Sequence, residues 1–247
     1  MRFRRKPSDN LPARTEDAGV SAKALSHVLE SSTRLQAPAV KAYVARLRKA
    51  NPDATPAQII TKLEKHYLAA VMASGAAVGS AAAFPGIGTL AALSAVAGET
   101  VLFLETTAAF ALAVAEVHGI PTEDRDRRRN LVLGVLVGDE GKGAVRELLG
   151  PGRTSGAWLA EAELLPLPMV SQLNTRLMQY FVKKYTVKRA AMAFGKMLPV
   201  GIGAAVGGGG NRLMGKRIVE NARKAFGPAP ARWPSTLHLL PPVHDAL

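Results

Sequence analysis

Apolar positions recur every three to four residues along most of the chain, the spacing of helices that bury one face. Val40, Tyr43, Val44 and Leu47 share such a face on a short helix expected from Pro38 to Ala50, with another short helix before it from about Ser21 to Leu35. Asn51-Pro52-Asp53 ends that segment. Thr55-Pro56-Ala57-Gln58 then combines three start signals: a capping hydroxyl, a proline at the first helical position and a glutamine placed to complete a capping box. From Tyr67 to Gly98 the chain carries no charge, and 17 of these 32 residues are Ala or Gly. Pro85-Gly86 interrupts the run, so two antiparallel helices are predicted, about 56–84 and 88–118, closed by Gly119 and Pro121.

The acidic and basic stretch from Glu123 opens a third helix with an apolar part from Leu131 to Val137, and a shorter helix, about Lys142 to Leu149, follows. Beyond Pro166 and Pro168, the positions Val170, Leu173, Leu177, Phe181 and Tyr185 define a basic amphipathic helix with Arg176, Lys183 and Lys184 on its other side. A second hairpin is expected over 188–226: a helix Lys188 to Leu198, the turn Pro199-Val200-Gly201-Ile202-Gly203, and a last helix ending near Phe226. The two tips, Pro85-Gly86-Ile87-Gly88 and Pro199-Val200-Gly201-Ile202-Gly203, echo each other, either through duplication or because tight helix turns converge on the same residues. Residues 1–18, and the last 21 with their five prolines, read as disordered tails. The expected fold is therefore all-α, a single helical domain over 19–226 built around hairpins at 56–118 and 188–226.

Gly75 and Gly79 in the first hairpin, and Gly203 and Gly207 in the second, are spaced to let helix backbones approach closely. The pattern suits a protein interior or lipid. Leu68 to Phe84 spans about 25 Å as a helix, the lower edge of a hydrocarbon core, so a re-entrant or interfacial hairpin is as compatible as a spanning one. Glu99, Glu105 and Glu116 argue against deep insertion of the next helix, since a carboxylate at mid-bilayer costs roughly 2.5 to 3.5 kcal/mol. Glu105 and Glu116 lie nearly on one face. They are either a solvated stripe or partners for basic residues of the second hairpin.

Composition supports helix, with 48% apolar residues but only 5% aromatic. The chain has no cysteine, which excludes disulfides, thiolate metal sites and a cysteine nucleophile. A net charge of +13 requires an anionic partner or surface, and from Arg176 to Lys224 eleven basic residues face the single acid Glu220. The candidate contacts to anionic lipid are Arg176, Lys183, Lys184, Lys188, Arg189, Arg212, Lys216 and Arg217. Gly210 to Arg217 imitates a phosphate loop, yet Arg217 stands where Ser or Thr would hold magnesium and no strand precedes it. The five histidines show no ligand spacing, so no catalytic residue, cofactor, metal or small-molecule substrate is expected. No nucleic-acid motif accompanies the basic surface. The basic start of the chain is followed by no apolar stretch, so no secretory signal is expected.

Several groups of residues resemble the EcsC family of bacterial helical proteins. In the first half they are Ser74-Gly75-Ala76-Ala77, Pro85-Gly86-Ile87-Gly88 and Ala115-Glu116-Val117-His118-Gly119. In the second they are Leu198-Pro199-Val200-Gly201-Ile202-Gly203-Ala204, the glycine run to Asn211, and Asn221-Ala222-Arg223-Lys224-Ala225-Phe226. The match covers about 56–226. It implies a helical fold and membrane association, and supplies no reaction or catalytic residue. The functional expectation is a non-enzymatic protein held to anionic lipid on the cytoplasmic face of a membrane, as accessory or scaffold to a membrane system. The alternative is a soluble helical protein whose basic face binds an acidic protein or nucleic acid. Turn and packing residues are Gly75, Gly79, Pro85, Gly86, Gly88, Pro199, Gly201, Gly203 and Gly207.

Overall fold

The structure is a computed structural model that describes residues 37–81, 89–149, 157–162, 164–195 and 202–234, with side-chain surroundings described outside 78–97, 149, 184–195 and 202–208. Within these residues eight α-helices and no strands form: α1 (37–49), α2 (Pro56–Ala81), α3 (Thr89–His118), α4 (Arg125–Val137), α5 (Asp139–Leu149), α6 (Trp158–Ala162), α7 (Leu167–Gly195) and α8 (Ile202–Phe226). The all-helical expectation holds.

Local chemistry sets the helix ends. At the start of α2 the Thr55 N–H donates to Gln58 Oε1 at 2.9 Å and the Gln58 N–H donates to Thr55 Oγ1 at 3.3 Å, the reciprocal capping box read from the sequence. Asp124 caps α4 by accepting from the Arg127 N–H at 2.9 Å. Gly119 ends α3 with φ of 71°, while the Ile120 N–H reaches back to the Ala115 carbonyl at 3.0 Å. That left-handed residue followed by a six-residue closure is a Schellman cap, which glycine makes without strain.

α2 is the axis of one layer. It runs antiparallel to α3, with Tyr67 O–H and Thr107 Oγ1 2.9 Å apart and the Tyr67 and Phe110 rings stacked at 4.6 Å, and its most extensive packing is along α8. The α2–α8 pair is also antiparallel: Asn211 Nδ2 donates to the Val71 carbonyl at 3.0 Å, and Arg223 reaches Glu64 further down. Gly215 makes this approach feasible, because a Cβ there would stand 3.0 Å from both Leu68 Cδ2 and Val71 Cγ2. α4 forms the second layer between α3, α7 and α8, and residues 130–137 are buried all round, as expected of a helix enclosed by others. Trp158 of α6 fits against α4 and α5 where Gly134 and Gly141 lack side chains; a Cβ at either would lie within 2.8 Å of its ring.

Two features differ from the sequence expectation. α7 continues through 185–188 to Gly195 instead of breaking, because Tyr185-Thr186-Val187-Lys188 contains neither Pro nor Gly. Among the described residues α8 packs chiefly along α2, giving a three-helix layer of α3, α2 and α8, while the tip of the hairpin expected over 188–226 lies outside the described residues. Residues 227–234, expected in the C-terminal tail, pack back on the bundle: Trp233 Nε1 donates to the Ala54 carbonyl at 3.1 Å, and the Arg48 guanidinium lies 3.9 Å above the Trp233 ring. The remaining expected tail residues, the Pro85-Gly86-Gly88 tip, and Pro199 and Gly201 lie outside the described residues.

Candidate functional site

The outer face of α8 follows from its helical period. Gly209, Arg212, Leu213, Lys216, Arg217, Glu220, Arg223 and Lys224 are exposed, spaced three or four apart, while Gly215, Ile218, Val219, Ala222, Ala225 and Phe226 face the interior. Three of the sequence-predicted cations, Arg212, Lys216 and Arg217, therefore stand on one stripe. Leu213 sits among them with 67% of its surface exposed. At the same level of the bundle α2 exposes Met72, Ala73 and Ala76, and α3 exposes Leu102.

Ion pairing separates this stripe from the other charges. Arg176 donates to Glu147 Oε2 at 2.5 Å, and Lys224 pairs with Asp139 at 3.1 Å. Lys41 binds Glu123, a contact that raises the lysine pKa and lowers that of the carboxyl through their hydrogen bond. Arg212, Lys216 and Arg217 have no ion-pair partner among the described residues. Lys183 is exposed on α7, and Lys184, Lys188 and Arg189 belong to the same helix with side chains outside the described set.

Glu105 and Glu116 of α3, expected either as a solvated stripe or as partners for basic residues of the second hairpin, are both half-buried and form no ion pair among the described residues. Glu99 is buried near the start of the described side chains of the helix, and Glu116 acts on Lys41 of α1, helping to raise its pKa. The buried acid that meets α8 is Glu64 of α2, which accepts from Arg223 Nε at 2.7 Å and Nη2 at 2.6 Å. This hydrogen-bonded pair raises the Arg223 pKa, and no local pattern could have revealed it, since 159 residues separate the partners. Gly75 is buried on α2 as a close-packing glycine should be; Gly79, Gly203 and Gly207 lie within helices whose surroundings at those points are not described. Gly215, which sequence spacing did not single out, is the glycine seen at the α2–α8 contact.

One helix among the described residues is long and apolar enough to cross a membrane, Gly98–His118, and 67% of that window is buried inside the bundle. Leu104, Ala108, Ala111, Leu112 and Ala115 supply its buried face, so core packing accounts for its apolarity. The described residues hold no group of three or more His, Asp or Glu side chains suited to a metal ion. His66 instead contacts the Tyr43 hydroxyl at 2.6 Å, and His118 stacks on Phe226.

Comparison with protein families, curated proteins and solved structures finds no match to this chain, so the resemblance to the EcsC family rests on its motif residues alone.

Proposed function

We propose that the chain is a non-enzymatic, membrane-associated helical protein that attaches to the cytoplasmic face of an anionic membrane through the middle of α8. The observation that carries this reading is the exposed Leu213 flanked by Arg212, Lys216 and Arg217, cations without an ion-pair partner among the described residues. An exposed leucine among cations suits the headgroup boundary: the cations lie at phosphate level while the apolar side chain enters the acyl edge. Met72, Ala73 and Leu102 on the neighbouring helices extend the apolar part of the contact. The EcsC-like residues Ser74 to Ala77 of α2 and Gly203 to Asn211 of α8 lie toward one end of this antiparallel pair, which favours membership of that family and a role as accessory or scaffold to a membrane system.

Co-sedimentation of the full chain with vesicles tests this. Binding is expected to phosphatidylglycerol-containing vesicles and not to pure phosphatidylcholine, and 1 M salt should weaken it as the Debye length falls from ~10 Å to ~3 Å. Equal partition to both lipids, or none to either, would sink the proposal; capture of acidic protein or nucleic acid in place of vesicles would assign the basic face to a soluble partner.

A further inference from the structure

A groove of about 460 Å³ opens where the N-terminal half of α2, the C-terminal ends of α3 and α8, and the strap residues Gly227-Pro228-Ala229 meet. Its volume falls within the range of small-molecule sites. Ile60, Phe110, Val114 and Phe226 give it apolar walls, and four polar residues, Thr61, Glu64, His118 and Arg223, line it as well.

The imidazole of His118 stacks on Phe226 with ring centroids 5.3 Å apart, and neither ring nitrogen has a hydrogen-bond partner among the described residues. Burial lowers its pKa, so near neutral pH the ring offers one donor and one acceptor. A guanidinium has two edges that can grip a carboxylate. Glu64 occupies the edge formed by Nε and Nη2, which fixes the plane of the Arg223 head, while Nη1 has no partner among the described residues. The Glu64 side chain is 8% exposed against 63% for Arg223, so the acid is the buried brace and the guanidinium presents its second edge outward. Glu220, one turn back on α8 and exposed, adds only a solvent-screened field.

We propose that this groove binds a small amphipathic carboxylic acid of the medium-chain fatty acid class, its chain along Ile60, Phe110, Val114 and Phe226 and its carboxylate on the free edge of Arg223, with the His118 N–H as a second donor. The site is separate from the membrane-facing stripe, since its α8 residues begin at Ala222, more than a turn beyond Arg217.

The test is an NMR titration of the intact chain with octanoate, 1-octanol and octylammonium, following the His118 ring and groove methyl signals. Octanoate is expected to bind with a Kd on the order of 1 mM, the scale for a ligand of about ten heavy atoms at an open site, and about tenfold more tightly than octanol. Thr61→Trp, at an exposed wall position, should fill the groove and abolish binding without disturbing the core. Arg223→Gln should erase the preference for octanoate over octanol. If that variant unfolds for want of a partner for Glu64, the double variant Glu64→Gln/Arg223→Gln keeps the same readout. Octanol or octylammonium binding as tightly as octanoate to the wild-type chain, or octanoate binding that survives Thr61→Trp, would overturn the proposal.

Discussion

Replacing Arg212, Lys216 and Arg217 together by glutamine removes three charges from one exposed face of α8 while leaving its length and apolar face intact. Each Lys or Arg held near an anionic leaflet contributes about 1 kcal/mol, so the triple variant forfeits about 3 kcal/mol of attachment. At a factor of ten per ~1.4 kcal/mol, the partition coefficient onto anionic vesicles should fall roughly 100- to 200-fold. Folding should barely change, because exposed side chains without ion-pair partners alter stability by about 0.5 kcal/mol or less. Vesicle titration at 0.1 M salt measures the first quantity and thermal unfolding by circular dichroism the second. In 1 M salt the gap between wild type and variant should shrink below about tenfold, since screening weakens the surface field. Leu213→Ser acts through a different force: it should cost about 1–2 kcal/mol of attachment with little dependence on salt. The reasoning fails if the triple variant binds within about threefold of wild type at 0.1 M salt with an unchanged melting temperature.

Other consequences concern the bundle itself. Burial depresses the folded-state pKa of His118 below its unfolded value of about 6.5. The neutral ring is therefore favoured by folding, and that stability is full above pH ~6.5 and lost as pH falls through the folded pKa. Urea unfolding should show wild type losing more stability than His118→Gln between pH 7 and pH 5, and parallel curves would refute it. Gly215→Leu, forced against Leu68 and Val71, should cost about 1–3 kcal/mol by overpacking, whereas Gly215→Ala should cost less because its single added methyl meets both side chains at 3.0 Å and the Leu68 end can turn aside; equal denaturation midpoints would contradict the tight α2–α8 approach. Trp233→Ala removes the hydrogen bond to the Ala54 carbonyl and the Arg48 contact, so a loss of about 2 kcal/mol and faster amide exchange at the α1–α2 corner are expected. An unaltered exchange pattern would show that the strap contributes nothing.

Features that depend on a few neighbouring residues are legible in the sequence. The Thr55–Gln58 capping box, the Gly119 stop and the enclosed stretch Leu131 to Val137 all appear where their local chemistry places them. Helix starts, stops and periods are short-range properties, and the basic stripe Arg212, Lys216, Arg217 is likewise a matter of period once α8 forms. The continuity of α7 is also written locally, in the absence of any proline or glycine at 185–188.

Partner choice is not legible. Small residues on a helix permit close approach without specifying which helix approaches, so Gly215 could meet α2 as readily as α7 until the whole core was assembled. The Glu64–Arg223 pair and the docking of Trp233 on Ala54 join residues 159 and 179 apart in the chain, and the groove beside the first draws on the same distant segments. Sequence by itself determined that this chain is a set of helices, where most of them begin and end, and which residues on each are apolar or charged. Tertiary structure alone decided which faces are covered, because burial is a collective outcome: a cation is neutralised or free, and a leucine hidden or exposed, only when every other helix has taken its place.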